Sequence, residues 1–357
     1  MKQKKVYLTL QNGKVFEGYR FGADGEAVGE LVFTTSVVGY LETLTDPSYY
    51  GQIVVQTFPM IGNYGVIESD FESDKTHLSA YVVREYCETP SNFRMENTLN
   101  DYLKAQGVVG IYGVDTRELT KIIRENGVMN ACISDKKIDA KTLENYQIKD
   151  AVKAVTPAKV TMAATEHAQY TVAFWDFGGK NSSVGELLSY GLNVIRIPAE
   201  YTAEQILALD VDGVVLSDGP GNPAENTEII EKVKKLLGQK PIFGFGLGHQ
   251  LIALALGAKT QKMKYGHRGS NQPVKHLATD RVYISSQNHG YVVDGATLGK
   301  GEVTFINVND GTCEGLEWTD GKVLSVQFSP SACSAAGEDN ILYNKFIENM
   351  RKEKDNA

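Results

Sequence analysis

Two different patterns of apolar and polar residues divide this chain of 357 residues. In the first part, short runs rich in β-branched and aromatic residues follow one another closely, and residues 6–10 and 15–19 flank Asn12-Gly13. An Asn-Gly pair accepts positive backbone φ and favours a tight β-hairpin. The other predicted elements of this part are two strands and two helices, at 30–34, 51–57, 95–105 and 116–125. The pattern therefore predicts a mixed α+β domain.

From residue 171 onward, apolar strand-like runs alternate with helical segments. The predicted strands lie at 172–175, 193–197, 213–216 and 242–245, and the predicted helices at 184–190, 203–209 and 227–237. Strands that alternate with helices over short loops imply right-handed crossovers and a parallel sheet covered on both faces. The chain then returns to predicted strands, at 282–285, 303–307, 315–318 and 323–328. It closes with a predicted amphipathic helix at 341–350.

These patterns set the predicted domain boundaries at 1–152 and 171–357. Residues 153–170 between them have no steady period and few large apolar side chains, which is typical of a linker. A chain of this length is long enough for two domains that each bury a core of their own.

Composition and charge narrow the class of protein. A hydrophobic content of 42% and a charged content of 22% are ordinary for a soluble globular protein. The net charge of −8 disfavours nucleic acid and anionic membranes as partners. No apolar run is long enough for a transmembrane helix or a secretory signal. The cysteines form no CxxC pair, so we expect a reduced, cytoplasmic protein without a metal site.

A sharp turn is predicted where the strand at 242–245 meets the following helix. The turn is Gly244-Phe245-Gly246-Leu247-Gly248-His249-Gln250, and an apolar helical run follows it. This arrangement is typical of a nucleophile elbow, which lifts one side chain above the sheet and directs backbone N–H groups at a developing oxyanion. The residue at the tip is Gly246, so the predicted scaffold of a covalent site has no attacking atom.

Two further polar segments follow strands of the same predicted domain. They are Ser217-Asp218-Gly219-Pro220-Gly221-Asn222-Pro223 and Gln287-Asn288-His289-Gly290-Tyr291. Ligands of parallel sheets bind at the carboxyl ends of the strands, which is where these segments and the elbow are expected. In this order, the three segments resemble the class I glutamine amidotransferase domain. The full fold prediction is thus α/β, a mixed α+β domain followed by an amidotransferase domain with a mostly parallel, doubly covered sheet.

The first part of the chain carries a narrower resemblance. Several of its segments are similar to the small subunit of carbamoyl phosphate synthetase, at 30–36, 39–40, 44–49, 51–53, 61–65, 90–94 and 114–117. Within the second part, residues 264–269 extend the likeness. The resemblance therefore covers essentially the whole chain.

This resemblance implies a catalytic triad that the chain does not carry. In the family, a Cys at the elbow attacks the glutamine amide, a His acts as acid and base, and a Glu orients the His. The Cys position is Gly246, and the family segment Phe-His-Pro-Glu-Ala corresponds to Phe328-Ser329-Pro330-Ser331-Ala332. The loss of all three groups predicts negligible glutaminase activity. Replacement at three positions also favours natural loss over a single deliberate substitution.

The positions that bind glutamine in the family are all matched. They are Ser48, Gly219, Gly221, Leu247, Gln250, Asn288, Gly290 and Tyr291. The resemblance implies that the N–H groups of Leu247 and Gly219 form the oxyanion hole, while Gln250 and Ser48 hold the amino-acid end of the substrate. The hypothesis that follows is a pocket that binds L-glutamine without cleaving it.

The family further implies a partner and its cofactors. A large synthetase subunit would use ATP, a divalent metal and bicarbonate, and no cofactor is expected in this chain. The small subunit would support an ammonia-using partner that serves pyrimidine or arginine biosynthesis. The alternative is a free-standing, non-enzymatic glutamine-binding, scaffold or regulatory protein. A third hypothesis is an active enzyme with rebuilt chemistry. It is disfavoured because no elbow or paired base accompanies Cys333, and because neither His249 nor His289 matches the general base of the family.

Overall fold

The computed structural model describes residues 4–334 and 340–355, which form two compact units within 1–151 and 152–357. Strands β1 to β9 of the N-terminal unit span Lys5–Leu10, Val15–Gly22, Ala27–Thr34, Gln52–Gln56, Met60–Ile61, Ala80–Val82, Glu85–Tyr86, Val109–Tyr112 and Met129–Ser134. Its helices α1 to α3 span Tyr40–Thr45, Leu99–Ala105 and Thr116–Asn126. The predicted mixed α+β character of this part is confirmed.

The strands of the N-terminal unit close into a barrel in the order β1-β2-β8-β6-β4-β3-β9. The predicted hairpin joins β1 to β2, where Gly13 has a φ of 87° and Leu10 N–H donates to Lys14 O at 2.8 Å. Alternating strand residues such as Val6 and Leu8 are fully buried in a core against which α3 packs Leu119. Because a closed barrel has no free edges, its strands satisfy one another.

The C-terminal unit is built on one large mixed sheet. Strands β10 to β19 span Thr161–Ala163, Tyr170–Asp176, Leu192–Pro198, Gly213–Leu216, Ile242–Phe245, Lys259–His276, Val282–Asp294, Glu302–Asn307, Cys313–Trp318 and Val323–Val326. Helix α4 begins in the N-terminal unit, and helices α4 to α9 span Ala151–Val155, Asn181–Ser189, Ala203–Leu207, Thr227–Leu236, Leu247–Ala255 and Ile341–Asp355. The strand order is β10-β12-β11-β13-β14-β19-β18-β16-β15-β17.

Helices cover both faces of the parallel part of this sheet. Along β11, Ala173 and Trp175 pack with residues of α6, α7 and α8, whereas Val172 and Phe174 pack with residues of α5 and α9. This alternation follows from the two-residue period of a strand, which places successive side chains on opposite faces. The predicted α/β class and the double covering are confirmed.

The structure also departs from the sequence prediction in two places. Residues 153–170, predicted as a linker, include part of α4 and the strand β10, which pairs antiparallel with β12. Parallel pairing joins β12, β11, β13, β14 and β19, but β18, β16, β15 and β17 extend the sheet antiparallel. These strands follow one another without an intervening α-helix long enough for a crossover, so they reverse direction.

Among the described residues, no helix combines the length and the apolar character that crossing a bilayer requires.

Candidate functional site

Three of the predicted site segments of the C-terminal unit lie at the carboxyl ends of adjacent parallel strands. Gly219 follows β13, Gly246 follows β14, and Ser329 follows β19. Strand β14 pairs with both β13 and β19, so these loops are neighbours at one edge of the sheet. A backbone bond from Ser329 N–H to Ser286 O, at 3.0 Å, joins the loop to β16. The structure therefore brings the segments 217–223 and 244–250 together at this edge. The third predicted segment, 287–291, was expected at the end of a strand but lies within the antiparallel strand β16, where Tyr291 O accepts a hydrogen bond from Gln250 Nε2.

The turn between β14 and α8 has a backbone conformation that residues with a side chain rarely adopt. Gly246 adopts a φ of 56° and a ψ of −119°, and α8 begins at the next residue, Leu247. The N–H of Gly246 donates to Val326 O at 3.1 Å, and the N–H of Gly248 donates to Ser217 O at 2.9 Å. These two N–H groups already have backbone acceptors, so the donors that the turn would offer a ligand are other N–H groups of the first turn of α8, such as that of Leu247, which have no acceptor within the helix.

Asp218 occupies the space next to Gly246. A Cβ atom added to Gly246 would lie 2.7 Å from Asp218 Cβ and 3.1 Å from Asp218 Cα, so a side chain here requires a shift of that loop. Asp218 Oδ2 lies 3.2 Å from Lys180 Nζ. The Lys180 loop is held by buried Asp176, whose Oδ1 accepts hydrogen bonds from the N–H groups of Gly178 and Gly179. An ion pair thus stands beside the tip of the elbow.

The sequence alone does not predict that Lys180 and Asp218 pair. Lys180 lies in the loop after β11, and Asp218 lies in the loop after β13. These two strands are neighbours only in the folded sheet. The one available signal was their common place after parallel strands, where side chains of different loops converge.

The two serines at the other triad positions bind each other. Ser329 Oγ and Ser331 Oγ are 2.9 Å apart, at the start of the short 3-10 helix Pro330–Cys333. A serine hydroxyl is a weak nucleophile unless a base takes its proton, and the partner here is a second hydroxyl. This pair therefore cannot supply acid–base catalysis near neutral pH.

The buried histidines and Cys333 also lack the properties of a rebuilt catalytic site. His249 Nδ1 lies 2.9 Å from Ser325 Oγ, but both residues are fully buried. Burial lowers the pKa of His249 to about 3, and burial together with neighbouring His267 lowers the pKa of His289 well below its usual value. Burial also raises the pKa of the Cys333 thiol to about 12, so little thiolate forms.

The residues predicted to bind glutamine occupy several loops. A Cβ on Gly219 would lie 2.4 Å from Phe177 O, and Gly221 has a φ of 92°, so glycine suits both positions. Gln250 Nε2 donates to Tyr291 O and to Gln327 Oε1, each at 2.8 Å. The other predicted residues are placed on β16 of this unit, Asn288 and Gly290, and in the N-terminal unit, Ser48, whose N–H donates to Asp46 Oδ1.

Comparison with known proteins identifies the family. A model described as "Carbamoyl-phosphate synthase small chain, CPSase domain" matches residues 8–133, and one described as "Glutamine amidotransferase class-I" matches residues 173–349. The carbamoyl phosphate synthase small chain of Fusobacterium nucleatum is 45% identical over 350 residues, covering 96% of this chain and 97% of the relative. That of Clostridium perfringens is 44% identical over 352 residues, covering 96% and 99%.

This chain belongs to the carbamoyl phosphate synthase small chain family. The resemblance drawn from the motifs is confirmed, and so is the class I glutamine amidotransferase domain in the predicted fold. A solved glutamine amidotransferase from Thermotoga maritima is also similar, with 16% identity and a TM-score of 0.38 over 54% of this chain and 85% of its own. The family assignment rests on the full-length small chains.

Replacement of Gly246 by alanine is expected to destabilise this small chain by about 1 to 3 kcal/mol, because the backbone there is in a region that side chains rarely adopt. The contact with Asp218 adds to that strain. Chemical denaturation of both proteins measures the difference. Gly238→Ala is the matched control, since Gly238 has a φ of 79° with no atom within 4 Å of an added Cβ. Equal losses for the two variants would show that the Asp218 contact has no energetic effect.

Proposed function

We propose that this chain is a carbamoyl phosphate synthase small subunit that binds glutamine without hydrolysing it and supports a synthetase chain supplied with free ammonia. One observation carries the proposal: the tip of the elbow is Gly246, and the space beside it holds the Lys180–Asp218 ion pair. The other positions that the family resemblance assigns to the triad, Ser329 and Ser331, offer only hydroxyl groups.

The chemistry of amide hydrolysis explains why these replacements abolish the reaction. A thiolate must attack the carbonyl carbon, and an acid must protonate the departing ammonia. Loss of any one triad member costs about 10⁴- to 10⁶-fold in comparable serine enzymes, or roughly 5 to 8 kcal/mol of barrier. The backbone donors of the elbow can stabilise negative charge, but they cannot form the covalent intermediate.

The same backbone donors support the binding half of the proposal. The first N–H groups of α8 and the close-packed Gly219 loop are suited to a carbonyl oxygen, and neither depends on the triad side chains. Gln250 and Tyr291 hold each other through a 2.8 Å hydrogen bond, which fixes the wall that would face the ligand. Glutamine could therefore bind through these groups alone, without any side chain at the predicted triad positions.

Isothermal calorimetry is expected to detect binding of one L-glutamine per chain at millimolar concentration or below. The donors that would bind the amino-acid end are fixed in space, so their arrangement distinguishes the two enantiomers of glutamine. D-glutamine is therefore the matched control ligand. It is expected to bind at least about tenfold more weakly, a difference of roughly 1.4 kcal/mol. Absence of any heat from L-glutamine at millimolar concentration would remove the binding half of the proposal and leave the loss of hydrolysis standing.

The proposed partner is a synthetase large chain that carries the ATP and divalent-metal sites, and the proposed setting is the cytoplasm, in pyrimidine or arginine biosynthesis. Membership of the small chain family supports this assignment. Affinity purification of the tagged chain from its native cells tests it. Recovery of a stoichiometric synthetase chain is the expected result, whereas a chain recovered alone would favour a free-standing glutamine-binding or scaffold protein.

A further inference from the structure

A cluster of two histidines and a glutamate lies buried in the antiparallel part of the C-terminal sheet. The cluster consists of His267 on β15, His289 on β16 and Glu314 on β18, and one ligand atom from each lies within 4.8 Å of the others. His267 and His289 are register partners across β15 and β16, so the sheet itself fixes their spacing. None of these side chains belongs to the triad positions or to the predicted glutamine contacts.

Both imidazole rings are held by the nitrogen that faces away from the cluster. His267 Nε2 lies 3.0 Å from Asp310 Oδ2, and His289 Nδ1 lies 2.8 Å from Tyr291 O. Acceptors lie on both sides of each ring, and we assign the protons to the outer nitrogens, His267 Nε2 and His289 Nδ1, which face the Asp310 carboxylate and the Tyr291 carbonyl. The remaining lone pairs, on His267 Nδ1 and His289 Nε2, then face the cluster. Histidines that bind metal ions are held in this way.

The oxygen atoms of the cluster are short of hydrogen-bond donors. Glu314 is fully buried, and its Oε1 lies 3.3 Å from His267 Nδ1 and accepts a hydrogen bond from Asn307 Nδ2 at 3.3 Å. Its Oε2 has no hydrogen-bond partner among the described residues. Gln287 Oε1 lies 2.8 Å from His289 Nε2 and 3.2 Å from His267 Nδ1, while Gln287 Nε2 donates to Ser285 Oγ. Two lone pairs 2.8 Å apart repel each other unless a cation or a proton lies between them.

We propose that His267 Nδ1, His289 Nε2, the Glu314 carboxylate and Gln287 Oε1 bind a divalent transition metal ion of the Zn²⁺ type. Ligands about 2.1 Å from a tetrahedral zinc ion are about 3.4 Å apart. Three of the six separations are 2.8 to 3.3 Å, and the histidine and glutamate atoms all lie within 4.8 Å of one another, so small shifts of these side chains would complete the site. All four ligands come from the chain, which is typical of a structural site. The ion would brace the segment of β16 that carries Asn288 and Tyr291.

A buried ion pair is the simpler explanation of the same residues. Burial opposes protonation of His267, but the Glu314 and Asp310 carboxylates raise its pKa above the usual value. A protonated His267 would bond to both carboxylates and bind no metal. That explanation leaves Glu314 Oε2 without a partner and leaves the lone pairs of His289 and Gln287 in contact.

The test is the metal affinity of the full chain, and it does not depend on any glutaminase activity. The protein is stripped with a chelator, loaded with Zn²⁺ and titrated against a chromophoric chelator. We expect one Zn²⁺ per chain with a dissociation constant below the micromolar range, and a melting temperature that rises with Zn²⁺. The isosteric variant Glu314→Gln is expected to weaken Zn²⁺ binding at least about tenfold. Substitution of residues that only hydrogen-bond to a metal ligand already lowers metal affinity by about that factor.

The matched control is His276→Gln, because His276 lies on β15 beyond the cluster and bonds to Thr279. This variant is expected to keep the native affinity. Failure of the native chain to bind one Zn²⁺, or equal binding by the native chain and a folded Glu314→Gln variant, would overturn the proposal and favour the ion pair. The native titration needs no variant, so a misfolded variant does not prevent the decision.

Discussion

The triple variant Gly246→Cys, Ser329→His, Ser331→Glu is expected to hydrolyse glutamine at least about 10³-fold faster than the native chain. Complete triads are worth about 10⁶-fold in comparable enzymes, and the positive-φ backbone of the elbow is already in place. Full recovery is not expected, because the new Cβ at Gly246 would lie 2.7 Å from Asp218 Cβ and must displace it. Coupled detection of released glutamate measures the gain.

The matched control for this experiment is Gly246→Ala, Ser329→His, Ser331→Glu. It introduces the same Cβ, imidazole and carboxylate, but it has no sulfur to attack the amide. The control is expected to remain at the native rate, which would assign the gain to the nucleophile. A folded triple variant that binds glutamine and shows no gain would mean that the triad positions have been assigned to the wrong residues.

The purified complex of this chain with its synthetase partner is expected to make carbamoyl phosphate from ammonium and not from glutamine. The glutamine-dependent rate should fall at least about 10⁴-fold below the ammonium-dependent rate, since the loss of the nucleophile alone has an effect of that size. The predicted triad positions, Gly246, Ser329 and Ser331, supply neither a thiol nor an imidazole to release ammonia from the amide. Formation of labelled carbamoyl phosphate from bicarbonate measures both rates.

Free ammonia in glutamine stocks is the main interference in that measurement. A parallel reaction with the same stock of D-glutamine gives the background, and 15N in the amide of L-glutamine shows whether the label enters the product. Equal rates from the two nitrogen sources, with the amide label transferred, would be incompatible with the proposed function.

Local patterns were sufficient for much of the fold. Asn12-Gly13 predicted the β1–β2 hairpin, and the apolar period at 116–125 predicted α3, which spans Thr116–Asn126. The helix predicted at 95–105 begins later, at Leu99, because Thr98 Oγ1 accepts the Asp101 N–H and caps it there. These elements are specified by neighbours in sequence, so sequence alone locates them to within a few residues.

Long-range pairing explains what the sequence did not reveal. Strand β15, Lys259–His276, is rich in polar and glycine residues and gains its order from pairing with β16 over most of its length. Strand β10 lies in the predicted linker and is held by backbone bonds to β12 rather than by an apolar face. Closure of the N-terminal barrel likewise depends on strands far apart in the chain.

The candidate site shows the same limit. The turn at Gly246 and the residues at the predicted triad positions, Gly246, Ser329 and Ser331, are visible in sequence, because each lies in one short segment. The ion pair of Lys180 with Asp218 and the buried cluster around Glu314 each join loops or strands that meet only in the sheet. Their chemistry therefore emerges from the order of the strands.

Incubation of the native chain with carbon-labelled L-glutamine tests the central claim most directly. The family resemblance implies that glutamine hydrolysis passes through a thioester on a cysteine. In this chain the tip of the elbow is Gly246, which has no thiol. We expect no labelled glutamate above the uncatalysed rate and no protein-bound label on mass spectrometry after acid quenching. Release of labelled glutamate at a measurable turnover, with a glutamyl adduct on any cysteine, would contradict the account.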